Sequence, residues 1–377
     1  MQQNLIQECD VMVTYCWNRV GYTIVKSLTK HGLRVIVSDV STTNICSKSH
    51  YTVGSFSYPD PFLQEEEFIS ELKKAVEIYN PKVLLPTHDE SVIIGKHRNE
   101  FPKGLKIPIV DVDLQLMLAD KQQTAKIAEK LDIPYPKEID DISKCDYPIV
   151  IKTKVGNSAK GVFFPKTQRE AENIIAKYGR KNLLISEFIT GCDYSVDIVC
   201  SKKQLFASVY RAVVTKTEGG GTTTQRVIVD EPKLAEYATR FVKYVGYEGV
   251  LGFDWRVDKE QGKVAFIEIN ARYTGGLATP VCAGFDIPWI HYCLATKGYY
   301  DDPVNLKIGV KTKWILGDII TFITRVCHFK LSWKELRSLL NFKFDGFDDY
   351  EKGDLKALWG EMVYYFMKLL KNRKLNP

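Results

Sequence analysis

The stretch that decides the fold is GVLGFDWRVDKEQGKVAFIEINARYTGG, from Gly249 to Gly276. It predicts two strands joined by a tight turn at Gln261-Gly262, because apolar and charged residues alternate on both sides of that turn. If the hairpin pivots on Gln261, Asp254 lies opposite Glu268, with facing Cβ atoms about 5 Å apart. The residues expected on the apolar face are Phe253, Trp255, Val257, Ile267, Ile269 and Ala271.

Two carboxylates that face each other this closely repel unless a cation lies between them. One interpretation is a magnesium site, since Mg²⁺ prefers a few hard oxygen ligands completed by water and phosphate. Asp254 and Glu268 would supply carboxylates, and Asn270 a neutral carbonyl oxygen. Arg272 would then point at the anion that the metal holds. The alternative is a half-exposed hairpin whose acids are solvated and partly neutralised by Arg256 and Arg272.

The composition is that of a soluble globular protein with two or three domains, because 377 residues exceed one ordinary core. The net charge of +6 permits anionic substrates such as nucleotides, but no dense basic tract indicates nucleic acid. Nine cysteines without a Cys-x-x-Cys pair favour reduced thiols and a cytoplasmic location. We find no secretory leader and no apolar run of the roughly 20 residues that span a bilayer.

The amino-terminal region predicts a parallel sheet, because a strand at 10–14, a helix at 18–31 and a strand at 33–39 form a βαβ unit. Its first turn lacks the G-x-G-x-x-G of dinucleotide-binding folds. The strand at 82–86 ends in Thr87-His88-Asp89-Glu90, and ligands collect at the carboxyl ends of parallel strands. Asp89 is therefore a candidate substrate contact. Alternatively, Asp89 and Glu90 simply open the next helix, where negative charge is favourable.

Three further segments of the chain suggest anion binding. Lys121 follows the helix N-cap Asp120 and opposes the helix dipole, which an anionic ligand would explain, although a solvated lysine is the alternative. Lys152 ends a strand and precedes a glycine-containing hairpin, residues 153–161, whose N–H groups can cradle phosphate. TEGGGTTT, residues 217–224, reads either as a lid over a site or as a disordered surface loop.

Six of these motifs, in this order, resemble those of the ATP-grasp superfamily. The likeness is greatest to the branch that contains the carbamoyl phosphate synthetase large subunit, biotin carboxylase and amino-acid ligases. Each motif alone is weak evidence, but six in the family's order and spacing are specific. The motifs are ADK (119–121), PIVIK (148–152), GNSAKG (156–161), SEFITGCDYSVDI (186–198), GFDWRVD (252–258) and FIEINARYTGG (266–276).

The resemblance implies an α/β fold of the ATP-grasp type, with an amino-terminal parallel sheet, a β-rich flap, an antiparallel sheet and extra helices. It places a Rossmann-like pre-ATP-grasp domain at 1–112 and an ATP-grasp domain at 113–310, with the flap at about 145–188. A helical extension follows at 311–377.

The resemblance also implies a role for each matching residue. Lys121 and Lys152 would contact the ATP phosphates, under a flap that includes Gly156, Ser158 and Gly161. The adenine would contact a hinge formed by Glu187, Phe188 and Ile189, and the ribose would bind to Asp193. Magnesium would bind to Asp254, Glu268 and Asn270, and the residues expected to act in catalysis are Arg272, Lys152 and Arg211.

The implied activity is an ATP-dependent ligase that joins a carboxylate to an amine, or to a thiol, through an acyl phosphate. The cofactors would be ATP and Mg²⁺, with Mn²⁺ as a substitute, and the partners small-molecule carboxylates and amines. A non-catalytic ATP-binding switch and a phosphotransferase are the alternatives. The sequence departs from the family's pattern in two ways. Asp254 replaces a glutamate of several relatives. Neither a biotin-carrier Met-Lys-Met nor a second synthetase half is present, which argues against biotin carboxylase and carbamoyl phosphate synthetase.

The carboxyl-terminal residues from about 314 onward lie beyond the family's core. Apolar residues at helical spacing predict two helices, separated by FDGFDDYEKGD at 344–354. These helices are expected to pack on the core or across a homodimer, while contact with a membrane surface or a partner is the alternative. The apolar residues of the first helix are Ile315, Ile319, Phe322, Ile323 and Val326, and those of the second are Leu355, Leu358, Trp359, Met362, Tyr365, Phe366 and Leu369.

Overall fold

The computed structural model describes residues 8–154, 161–217, 220–327 and 343–372. Within these ranges the chain folds into three sheets with helices packed around them. Sheet A is parallel, sheet B is a small antiparallel sheet, and sheet C is the large sheet that carries the hairpin. The mixed α/β architecture expected from the sequence is confirmed.

Sheet A forms from the amino-terminal βαβ pattern. Its strands are β1 (Val11–Val13), β2 (Val35–Asp39), β3 (Gly54–Ser57) and β4 (Val83–Leu85), in the order β3-β2-β1-β4. Its helices are α1 (Arg19–Lys30), α2 (Glu65–Tyr79) and α3 (Glu90–Lys96), with a 3₁₀ turn at Arg98–Glu100. Asn18 caps α1, since its side chain accepts hydrogen bonds from two backbone N–H groups of the first turn. All four strands run in parallel, so their carboxyl ends meet at one edge.

Two helices and a small sheet follow. The helices are α4 (Val112–Ala119) and α5 (Lys121–Lys130), and sheet B consists of β5 (Ile149–Thr153), β6 (Val162–Phe163) and β7 (Leu183–Glu187). Helix α6 (Gln168–Tyr178) and a 3₁₀ turn (Arg180–Asn182) connect β6 to β7. Asp120 caps α5 as predicted, because its carboxylate accepts from the backbone N–H groups of Gln122 and Gln123 at 2.8 and 3.1 Å. This cap sets the position of Lys121.

Sheet C has seven strands in the order β12-β11-β8-β9-β10-β13-β14. It is antiparallel except at the β13–β14 pair. Its strands are β8 (Cys192–Cys200), β9 (Leu205–Thr217), β10 (Gly220–Ile228), β11 (Gly249–Asp258), β12 (Lys263–Asn270), β13 (Lys311–Lys313) and β14 (Gly346–Phe347). Helix α7 (Pro232–Val245) packs on one face of sheet C, and α8 (Ala278–Cys282) and α9 (Ile287–Lys297) follow the hairpin.

The carboxyl-terminal segment closes the molecule back onto sheet A. Its helices are α10 (Ile315–Cys327) and α11 (Leu355–Asn372), and its strands β13 and β14 complete sheet C. Glu351 forms ion pairs with Lys26 at 2.9 Å and Lys30 at 2.6 Å, both on α1. The buried Asp348 accepts hydrogen bonds from both terminal nitrogens of the fully buried Arg226. No helix in the described ranges has the length and apolar character required to cross a membrane.

Candidate active site

The hairpin places two carboxylates face to face, as the sequence predicted. Asp254 on β11 pairs with Glu268 on β12, and Gly252 pairs with Asn270. All three polar side chains therefore lie on one face of sheet C, since directly opposed residues of an antiparallel pair share a face.

A β-bulge in β12 produces this pairing. The turn pairs Asp258 with Lys263, which is one residue away from a pivot on Gln261. The register then shifts at Ile267, because Trp255 pairs with Phe266 while the preceding residue, Asp254, pairs with Glu268. The predicted apolar role of Ile267 is therefore wrong. Phe266 packs in the core beneath α7 in its place.

The Asp254 carboxylate is half-buried and already accepts two hydrogen bonds. Ser195 Oγ donates to Oδ1 at 2.6 Å, and Asn270 Nδ2 donates to Oδ2 at 3.1 Å. Burial raises the pKa of Asp254 to about 7, and the facing charge of Glu268 is the second cause. Because Asn270 donates through its nitrogen, its carbonyl oxygen remains the atom that would act as a metal ligand.

Two lysines from separate segments approach this acidic pair. Lys121, the first residue of α5, places Nζ 3.2 Å from Glu268 Oε2. Lys152 lies on β5, and burial lowers its pKa to about 8, against the opposing effect of Glu268. The charges of Lys121 and Asp254 also act on Lys152. Three segments thus bring two cationic and two anionic side chains together.

The carboxyl edge of sheet A reaches the same site. Arg272 Nε lies 3.2 Å from Asp89 Oδ1, and Arg272 Nη1 donates to the backbone oxygen of Tyr273. Burial, reinforced by the positive charge of Arg272, lowers the pKa of His88 to about 4, so this imidazole is neutral at physiological pH. Asp89 precedes α3 but makes no side-chain cap bond to it. Its contact with Arg272 places the predicted substrate residue beside the predicted phosphate residue.

The segment after β7 is tied to sheet C by Arg256. Arg256 Nε donates to the backbone oxygen of Ile189 at 3.1 Å, and Nη1 lies 2.5 Å from Asp193 Oδ1. Its guanidinium also lies 5.8 Å from the centre of the Phe188 ring. Glu187 Oε1 accepts from the backbone N–H of Lys137 at 2.9 Å. The predicted hinge and the predicted ribose ligand are therefore held by one arginine.

Arg211 does not join this group. It pairs with Tyr194 across β8 and β9, and Tyr194 belongs to the core beneath α7. Asp193 and Ser195, the neighbours of Tyr194, point to the other face of sheet C. The register thus separates Arg211 from the acidic pair by the thickness of the sheet.

The predicted flap and lid are only partly visible. Gly156 and Ser158 lie outside the described residues. Gly161 is described and has a positive φ of 83°, close to Thr153. Most of TEGGGTTT was wrongly predicted to be a loop. Thr217 ends β9 and Gly220 begins β10, so the segment belongs to two paired strands.

Three contacts or residues near the site were not predicted from the sequence. Ser195 bonds to Asp254, Arg256 holds the hinge, and Asp197 is a buried acid one alternation further along β8. Burial raises the pKa of Asp197 to about 7. The alternation of β8 puts Ser195 and Asp197 on the face of Asp193, but only the strand pairing shows that this face meets Asp254.

A polyanion and a divalent cation would complete this arrangement. The two carboxylates and the amide can act as metal ligands, and the three cationic side chains can bind phosphate oxygens. Together these are the usual groups for aligning and neutralising a polyphosphate. Within the described ranges, no three His, Cys, Asp or Glu side chains form a metal site by themselves. A metal held here would depend on oxygens from a bound phosphate and water.

Comparison with known proteins agrees with this geometry. A family model described as ATP-grasp in the biosynthetic pathway with Ter operon matches residues 179–317, which include β8 to β13 and the hairpin. This part of the chain is therefore similar to the ATP-grasp family. A curated ATP-grasp relative is carbamoyl-phosphate synthase of Methanobrevibacter smithii, 19% identical over 211 residues, which cover 50% of this chain and 56% of the relative. The chain thus spans about half the length of that relative.

Solved ATP-grasp structures share the fold over most of the chain. Biotin carboxylase from Campylobacter jejuni, in a complex with β,γ-ATP, gives a TM-score of 0.65 at 15% identity, covering 81% of this chain and 74% of that one. L-amino acid ligase from Bacillus licheniformis gives 0.60 at 16% identity, covering 77% and 74%. An ADP complex of N5-carboxyaminoimidazole ribonucleotide synthetase gives 0.63 at 15% identity, covering 87% and 88%.

Proposed function

We propose that this chain is an ATP-dependent ligase that joins a carboxylate to an amine through an acyl phosphate. The observation that carries the proposal is the convergence of Lys121, Lys152, Asp254 and Glu268 from three segments of the chain. The match of residues 179–317 to an ATP-grasp family model and the fold shared with an L-amino acid ligase support the same conclusion.

The two lysines would contact the phosphates of ATP. Lys152 is buried and its ammonium pKa is lowered to about 8, which marks a site that gains from a bound anion. Lys121 pairs with Glu268 and would exchange this partner for a phosphate oxygen when ATP binds. The segment Glu187–Ile189, held by Arg256, is proposed to contact the adenine, and Asp193 the ribose.

Asp254, Glu268 and Asn270 would hold Mg²⁺, and their oxygens would also accept Mn²⁺. The residues fit the ion, because the facing carboxylate of Glu268 adds to the raised pKa of Asp254, a strain that a divalent cation would relieve. When bound, the ion would neutralise and align phosphate oxygens. Because only two carboxylates and one amide are present, Mg²⁺ should bind weakly until a nucleotide supplies further oxygens.

The proposed reaction has two steps. A substrate carboxylate oxygen attacks the γ-phosphorus of ATP, and the bond to the β-phosphate oxygen breaks to release ADP. The amine then attacks the acyl carbon, phosphate leaves, and the amine loses a proton. Arg272, at the edge of the acidic pair, is placed to stabilise charge on the transferred phosphoryl group.

Hydroxylamine trapping tests this proposal. The purified chain would be incubated with MgATP, hydroxylamine and a panel of carboxylates, with ADP and acyl hydroxamate measured together. A ligase yields equal amounts of both products with its true acid. Carboxylate-dependent ADP without hydroxamate would overturn the acyl phosphate, and ATP binding without turnover across the panel would favour the switch protein.

A further inference from the structure

Helix α11 has two distinct faces. Its inner face packs on the rest of the protein: Ala357 lies in the core with sheet A, Tyr365 is buried, and Glu361 accepts from Trp314 Nε1 at 3.2 Å. Its outer face carries a row of large apolar side chains, each 53–66% exposed, which we call the outer stripe. The outer stripe consists of Leu355, Trp359, Met362, Phe366 and Leu370.

Helical geometry puts the outer stripe opposite the docked face. The five residues follow one another at spacings of three and four, so they lie along one line of the helix. Helix α11 packs on the core, as one of the expectations had it, while Leu355, Trp359, Met362 and Phe366 face away from that contact. Helix α10 adds a shorter row of apolar residues, 43–48% exposed, formed by Ile319, Ile323 and Val326.

The sequence from Leu355 to Lys374 carries mostly positive charge. Between Leu355 and Lys374 the only acidic residue is Glu361, which is fully buried against the protein. The basic residues of this segment are Lys356, Lys368, Lys371, Arg373 and Lys374. An exposed apolar row in a segment whose one acid is buried and whose other charged residues are basic has the composition of a helix that lies in a membrane interface.

We propose that the outer stripe docks the protein on an anionic lipid bilayer, with α11 lying in the plane of the interface. Apolar side chains would enter the boundary between headgroups and acyl chains, and the basic residues would attract anionic headgroups. A second copy of the chain fits less well, because pairing two outer stripes would bring two sets of lysines together.

Docking through α11 would be rigid. Asp354, which precedes the helix, accepts from Tyr22 Oη at 3.1 Å and from Ser49 Oγ at 2.5 Å. The Trp17 ring, near the carboxyl edge of sheet A, stacks on Tyr364 with ring centres 5.3 Å apart. A bilayer bound to the outer face would therefore be fixed relative to sheet A without any contact of its own to the acidic pair.

Vesicle sedimentation tests this proposal independently of activity. Full-length protein would be mixed with vesicles of phosphatidylcholine alone, or with vesicles that contain about 30% phosphatidylglycerol. We expect binding to the anionic vesicles only. Trp359→Glu/Phe366→Glu should lower the partition coefficient at least about tenfold, because each substitution removes the free energy of inserting a large apolar side chain. Lys371→Glu/Lys374→Glu should lower it by about fivefold or more for each residue.

Leu63→Glu is the matched control, since Leu63 is an apolar residue 83% exposed on a different part of the molecule. It should bind vesicles like the wild type, and circular dichroism should show that all variants are folded. No binding to anionic vesicles, equal binding to neutral ones, or unchanged binding of Trp359→Glu/Phe366→Glu would overturn the proposal. The proposal would also be overturned if light scattering showed a dimer that Trp359→Glu/Phe366→Glu dissociates, while the wild-type protein did not bind vesicles.

Discussion

Arg272 Nε lies 3.2 Å from Asp89 Oδ1, although the two residues are 183 positions apart in the chain. The contact links the carboxyl edge of the parallel sheet to the acidic hairpin. If Arg272 stabilises the transferred phosphoryl group, Asp89 acts as a positioning residue that fixes the guanidinium.

Asp89→Ala should therefore lower kcat more than it changes the KM for ATP. Loss of one charge-assisted hydrogen bond costs about 1.5–3 kcal/mol, or roughly 10- to 100-fold in rate if the cost falls on the transition state. Asp89→Asn, which keeps an acceptor, should recover part of this loss. Glu67→Ala, an exposed acid on α2, serves as the control. Equal kcat in Asp89→Ala and wild type would contradict the assignment.

Glu268→Gln should abolish magnesium-dependent ADP release while the fold survives. The substitution keeps the size of the side chain but removes a charge, so kcat/KM for MgATP should fall by about 100-fold or more. Thermal unfolding with and without MgATP would show a wild-type melting temperature that no longer rises with ligand. Glu260→Gln, in the exposed turn of the same hairpin, is the control. Turnover at the wild-type rate in Glu268→Gln would remove the metal assignment.

The pH profile of kcat/KM for MgATP should be bell-shaped. Asp254, with its pKa raised to about 7, must lose its proton to bind a cation, so activity rises with pH through 7. Lys152, with its pKa lowered to about 8, must keep its proton to bind phosphate, so activity falls above 8.

Two variants assign these limbs. Ser195→Ala removes the hydrogen bond that stabilises ionised Asp254, so the acid limb should move to higher pH. Lys152→Arg keeps a charge that does not titrate, so the alkaline limb should disappear from the accessible range. An alkaline limb that stays near 8 in Lys152→Arg would exclude Lys152 as its source.

Gly191→Ala should destabilise the protein severely. Gly191 has a φ of 97°, and a Cβ atom there would meet the backbone oxygen of Val257 at an overlapping distance. The left-handed conformation costs about 1–2 kcal/mol, and overpacking adds about 1–3 kcal/mol. Gly262→Ala is the control, since Gly262 also has a positive φ but no atom within 4 Å of the added Cβ. Denaturant unfolding should show the smaller loss there, and equal losses would refute the close approach.

Asp197→Asn should stabilise the nucleotide-free protein at pH 8. Burial raises the folded-state pKa of Asp197 to about 7 from 3.8, so the stability that its proton contributes is complete below 3.8 and is lost as pH rises through 7. Asparagine carries no such charge. The difference in melting temperature between variant and wild type should therefore grow from pH 5 to 7 and level off above 7. A difference that is constant with pH would show that Asp197 is not neutral in the fold.

Local periodicity was sufficient to predict most elements of this protein. Helix α5 with its Asp120 cap and strands β5, β8 and β11 all follow from spacing over fewer than twenty residues. The order of the motifs predicted a fold that solved structures share at 12–16% identity.

Only the tertiary structure decided which face of each element meets which neighbour. The register of β9 places Arg211 away from the acidic pair, the bulge at Ile267 restores the Glu268 pairing, and Asp89 meets Arg272. The apolar stripe of α11 could be read from sequence, yet its outward direction depends on the inward contacts of Glu361 and Tyr365. The physical reason is that amphipathic spacing defines a face, whereas contacts between segments far apart in the chain determine where that face points.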